Sequence, residues 1–180
     1  MGGWIAGLRS CARWSVLVIG IFAVACGSAQ FDGREYHGKQ VSFRLGPLPS
    51  GTREINSDEA LVTLRDDSAG TTVAVGARCG LDGDDVPLTA LVQHLFIQFE
   101  PRTEVGRHEF VLDGRAALEV ELDATLDGVS RHFIVVVTKK DGCVYDFMHV
   151  DGGGKDAAVE RARSEFRSMV QGFSTLDRKS

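Results

Sequence analysis

Glu109–Asp151 reads EFVLDGRAALEVELDATLDGVSRHFIVVVTKKDGCVYDFMHVD, and this stretch decides the fold. Asp-Gly pairs stand at Asp113-Gly114, Asp127-Gly128 and Asp141-Gly142, fourteen residues apart each time, with runs of Val, Leu, Ile and Phe between them. Asp-Gly suits the two-residue type I′ turn, whose central residues both need positive φ and whose twist matches that of the strands it joins. The stretch therefore predicts a three-turn β-meander. Counting outward from two-residue turns sets Leu112 opposite Arg115, Leu126 opposite Val129 and Lys140 opposite Cys143.

Alternate residues of a strand share a face, so this register sorts the side chains. One face collects Val111, Leu118, Val120, Leu122, Phe133, Val135, Val137, Val144, Met148 and Val150, and is expected to be core. The other is divided. His108, Glu119, Glu121, Asp123 and His132 form a polar region, with His149 diagonal to His132, while Phe110, Ala117, Ile134, Val136, Tyr145 and Phe147 form an apolar one. A half-apolar face calls for partial cover by a helix or loop, hence layers on both sides of the sheet.

The chain has 180 residues, 43% hydrophobic and 25% charged, the balance of one ordinary globular domain. Its formal net charge is −5, and losing a leader that carries Arg9 and Arg13 and no acid would make it −7. An acidic domain without a basic stripe is a poor match for a phosphate backbone, so nucleic acid is not an expected partner.

That leader is legible. Arg9 and Arg13 precede the apolar run Trp14–Val24, and the run closes in Ala23-Val24-Ala25-Cys26. A basic start, an apolar segment of eleven residues and small residues before a cut are the parts of a secretory signal peptide. Ala-Val-Ala-Cys resembles a bacterial lipobox, with Ala23 standing where that pattern usually has Leu. Cleavage before Cys26 and acylation of its thiol would hold the protein on a membrane, since each buried CH₂ contributes roughly 0.8 kcal/mol. Gly27, rather than Asp, after Cys26 points to the outer membrane under a sorting rule that holds in some bacteria. The expected organisation is a lipoprotein signal peptide (1–25), a polar tether (26–38), a globular domain (39–176) and a tail (177–180).

Within the domain, Val41, Phe43 and Leu45 alternate with polar residues as a first strand. Strands over about Ala60–Arg65 and Thr71–Arg78 flank the turn Asp66–Gly70. Leu88, Leu91, Val92, Leu95, Phe96 and Phe99 then recur at helical spacing behind Pro87, with Asp84 and Asp85 near the positive end of the dipole and Pro101 as the stop. After Asp151-Gly152-Gly153-Gly154, a second helix is marked by Val159, Ala162, Phe166, Met169, Val170 and Phe173. Its Glu160, Arg161, Arg163, Ser164, Arg167 and Gln171 are expected to face water.

Four features bear on chemistry. Cys79 ends the third strand and Cys143 opens the last one, and with Cys11 in the leader and Cys26 acylated, these two are expected to form a disulfide in an exported protein. Gly153-Gly154-Lys155 lacks the upstream Gly and following Ser or Thr of a phosphate-binding loop, since His149 and Asp156 occupy those positions. The His and carboxylates of the polar region are of the right types for zinc or manganese. Opposite charges across a half-exposed sheet need no ion, however, and no metal or other cofactor is assigned. Neither a Gly-x-Ser-x-Gly nor a His-Glu-x-x-His pattern occurs, and the chain is read as non-catalytic.

The order of these elements, with the helix opening Val86-Pro87-Leu88, the meander containing Gly142-Cys143-Val144-Tyr145-Asp146 and the closing helix ending at Phe173, resembles the PsbP-type fold shared with Ran-binding Mog-one proteins. The resemblance spans roughly Lys39 to Leu176. It implies an α+β protein, an α/β/α sandwich around a central antiparallel sheet with two main helices. It also implies a non-catalytic accessory or binding role, as in members that are lipid-anchored. No ligand set transfers residue by residue from metal-binding plant members. The expected function is a lipid-anchored accessory or binding protein facing the periplasm, held by its N-terminal lipid and able to meet an envelope protein partner. An envelope hydrolase and a metal- or small-molecule-binding carrier are the competing classes.

Overall fold

The computed structural model describes residues 29–80 and 86–177. Along the chain come β1 (Gln30–Phe31), β2 (Glu35–His37), β3 (Ser42–Arg44), β4 (Arg53–Glu54), β5 (Val62–Asp66), β6 (Thr71–Cys79) and α1 (Leu88–Leu95). The meander follows as β7 (Arg102–Leu112), β8 (Arg115–Leu126), β9 (Val129–Lys140) and β10 (Cys143–Asp151), and then α2 (Ala157–Gln171) and β11 (Ser174–Thr175). An antiparallel seven-stranded sheet runs β4-β5-β6-β10-β9-β8-β7, and a small four-stranded sheet runs β1-β2-β3-β11. This is an α+β fold with a central antiparallel sheet.

The three Asp-Gly turns have the geometry their sequence demands. Asp113, Asp127 and Asp141 sit at φ 47°, 50° and 54°, each followed by a positive-φ glycine, so both central residues of each turn are left-handed. Register follows from the turns: Leu112 pairs with Arg115, Leu126 with Val129 and Lys140 with Cys143. A β-bulge shifts β7 against β8 between Glu104 and Gly106.

The sheet separates two cores. On one face Leu118, Val120, Leu122, Phe133, Val135, Val137 and Val144 pack beneath Val92 and Phe96. On the other, Ala117, Ile134, Val136, Tyr145 and Phe147 meet Phe166, Met169 and Val170 of α2 together with Tyr36, Phe43 and Leu45. The layers are thus α1, the long sheet, and a third layer shared by α2 and the short sheet.

Three expectations are corrected. Val111 lies on the predicted face but is 74% exposed, because α1 has only eight residues and does not extend over the β7 edge. That helix ends a turn earlier than its apolar stripe: Phe96 is the C-cap, and Phe99 turns back to bond the Phe96 carbonyl. Phe96, Phe99 and Phe133 then stack edge to face at 5.0–5.3 Å, and Arg102 donates to the Phe96 carbonyl, so aromatic packing replaces the last helical turn. Asp84 and Asp85 lie outside the described residues. The described part of the expected tether is folded: β1 and β2 form a hairpin in which Tyr36 is buried and stacks on Phe43 at 5.1 Å.

Cys79 and Cys143 are cross-strand partners joined by a disulfide, with Cα atoms 4.1 Å apart. The bond ties the end of β6 to the start of β10 at the middle of the long sheet, across a separation of 64 residues.

Candidate functional site

The polar region of the meander is built as counted. His108 stands opposite Glu119, Asp123 opposite His132, and His149 is offset by two from His132's partner Asp151. Their side chains do not converge on a common point. His132 is buried and its Nδ1 lies 2.8 Å from Asp123 Oδ1, while its Nε2 is 3.1 Å from Glu121 Oε1 at an angle that makes no hydrogen bond. His108 is on the exposed edge strand, stacked on Phe110.

The acids are claimed instead by the helix above them. Arg167 donates from Nε to Glu119 Oε1 at 2.8 Å and from Nη2 to Glu121 Oε2 at 2.9 Å. Arg163, 7% exposed, donates from Nε and Nη2 to the two oxygens of Asp151 at 2.8 and 2.9 Å, and from Nη1 to Glu160 at 2.9 Å. The expectation that Arg163 faces water is overturned by this geometry, while Arg167 is half-buried against the sheet. Arg163 follows Val159 by four and precedes Phe166 by three, which is the spacing of the buried stripe.

Asp151 is the centre of this arrangement, and nothing in the sequence singles it out. Its carboxylate is fully buried and also meets His149 Nε2 at 3.2 Å and the Gly153 N–H at 2.6 Å. Burial pushes its pKa up, but the hydrogen bonds from His149, Arg163 and the Gly153 N–H outweigh burial and hold it well below the usual carboxylate range. Bonded to the same acid, Arg163 is raised. The glycine-rich loop therefore does face an anion, but the anion is the protein's own. Gly153, at φ +77°, turns its N–H onto Asp151, and Asp156 caps α2 by accepting from the Ala158 and Val159 N–H groups.

Chemically, this network holds α2 on the sheet. His149 is completely buried against Phe166, so no solute reaches it. Among the described residues no group of three or more His, Cys, Asp or Glu is arranged to take a metal ion. A concave feature lies elsewhere, between α1 and the β7–β8 hairpin: a cleft of about 200 Å³ floored by Val92, Phe96, Val120 and Leu122 and rimmed by Gln93 and the Arg107–Glu104 pair. Cys26, the expected point of lipid attachment, lies outside the described residues. So does the leader.

No protein-family model matches this chain, and no curated protein sequence matches it. Solved structures do. The solution structure of cyanobacterial PsbP (CyanoP) from Synechocystis sp. PCC 6803 superposes with a TM-score of 0.57 at 13% identity, covering 84% of this chain and 98% of that one. The crystal structure of LpqN, involved in cell envelope biogenesis of Mycobacterium tuberculosis, gives 0.54 at 14% identity, covering 78% and 88%. At such identities the likeness is one of architecture, and the chain has a PsbP-like fold.

Proposed function

We propose that this protein is a lipid-anchored, non-catalytic accessory or binding protein of the bacterial cell envelope, facing the periplasm and more suited to the outer than the inner membrane. The observation that carries the proposal is the Ala23-Val24-Ala25-Cys26 box at the end of an apolar leader. The Cys79–Cys143 disulfide agrees with export, because such bonds persist in oxidising compartments. LpqN, a structural neighbour, is itself involved in envelope biogenesis. A binding rather than catalytic role is supported by the use of the polar region: its best-placed acids and His149 serve in holding α2 down. No helix of the described residues is long and apolar enough to cross a membrane, and the proposed attachment is the N-terminal lipid.

Replacing Cys26 tests this. In fractionated cells the wild-type chain is expected in membranes, and Cys26→Ala in the soluble periplasmic fraction or held as uncleaved precursor. Unchanged membrane attachment and processing in the variant would defeat the anchor.

A further inference from the structure

Among the described residues, β7 is hydrogen-bonded to β8 on one side only, and its outer side faces no other strand. β7 has eleven residues, with no proline inside it, and all but three of them are exposed. Two of its exposed residues, Val105 at 56% and Val111 at 74%, are large hydrophobics. Such an edge is a template for another strand unless it is blocked.

The hairpin decides which groups are free. In a two-residue hairpin Leu112 and Arg115 exchange both main-chain bonds, so Phe110 and His108 also bond toward β8, while Arg107, Glu109 and Val111 direct N–H and C=O away from it. A second strand must pair with that odd-numbered set. If the second strand is antiparallel β7 itself, few registers are possible, and charge chooses among them. A two-fold at Arg107 sets Arg107 against Arg107, and one at Glu109 sets Glu109 against Glu109; like charges directly opposite are destabilising. A two-fold at His108 sets Arg107, whose guanidinium also holds Glu104, against the second copy's Glu109. On the other face it places Phe110 over the second copy's Gly106, an aromatic across from an edge glycine.

We propose that β7 is a homodimerisation strand, pairing antiparallel with β7 of a second copy about a two-fold axis at His108, so that two long sheets become one. Arg107 and Glu109 are self-complementary in that register, as an isologous interface requires. The bulge between Glu104 and Gly106 ends the pairing and confines it to the stretch from Gly106 to Phe110.

The test uses the full chain carrying His108→Cys. A residue on the two-fold forms a non-hydrogen-bonded pair with its own copy, with Cα atoms about 4.5 Å apart, inside disulfide range. Mild oxidation of membranes is expected to give a covalent dimer whose peptide map shows the two introduced thiols joined to each other, whereas Val129→Cys, exposed but off the strand, gives none. Adding Glu109→Arg to His108→Cys is expected to lower the yield about tenfold by opposing like charges, and adding Arg107→Glu to that chain to restore it. Failure of the H108C chain to link, equal linking in the V129C chain, or a link to a protein of different sequence would each overturn self-pairing.

Discussion

Asp151 is the residue on which the third layer depends. Removing one partner of a buried ion pair leaves the other charged and unpaired, at a cost of about 3–5 kcal/mol. Asp151→Asn, which abandons Arg163 beneath α2, is therefore expected to lower unfolding free energy by that amount in urea titrations. The pH dependence has a definite sign. A carboxylate with a depressed folded pKa contributes stability above its unfolded value of about 3.9, and this is lost as pH falls toward the folded value. The gap between wild type and Asp151→Asn should accordingly close as pH drops below about 3.9; a gap that stays constant through that range would mean that folding does not depress the Asp151 pKa. None of this is visible in residue types. Asp151 reads as a loop residue before three glycines and Arg163 as a surface charge, and only the docking of α2 over the end of β10 brings them together. Arg163's place on the apolar stripe is nonetheless present in the helical spacing.

Elements are legible where local chemistry dictates them and obscure where tertiary contact does. Asp-Gly turns at even spacing determine four strands and their register, since positive φ at both turn positions leaves little choice of loop. The two-residue strands β1, β4 and β11 have no period to read and exist because partners are near. Gly46 and Gly172 show the same limit. A Cβ on Gly172 would stand 2.5 Å from Gly46 Cα, and one on Gly46 would stand 2.6 Å from the Ser168 carbonyl, so the end of α2 and the segment after β3 touch backbone to backbone. Gly172→Ala is expected to cost about 1–3 kcal/mol, as over-packing does, measured by thermal or urea unfolding; a neutral result would show that this contact yields. The cysteine pairing is expected from count in a chain read as exported, and β6 beside β10 supplies the geometry. Cys79→Ala/Cys143→Ala should lose about 4 kcal/mol, the loop-closure value for a ring of this size, and reductant should reproduce the loss in wild type while leaving the double variant unchanged.

At the scale of the described residues as a whole, a sheet covered on both faces is stapled by the Cys79–Cys143 disulfide and clamped to α2 by two arginines, with the outer side of β7 left open. Glu119, Glu121 and Asp151 of the sheet are engaged in holding α2 down. The PsbP-like architecture is reached from element order, whereas the proposed role rests on the N-terminal segment, outside the described residues. The most direct measurement is therefore mass spectrometry of the mature N-terminal peptide from membrane-purified protein. A peptide beginning at Cys26 and carrying acyl chains is predicted; an unmodified peptide, or one beginning at another residue, would contradict the account.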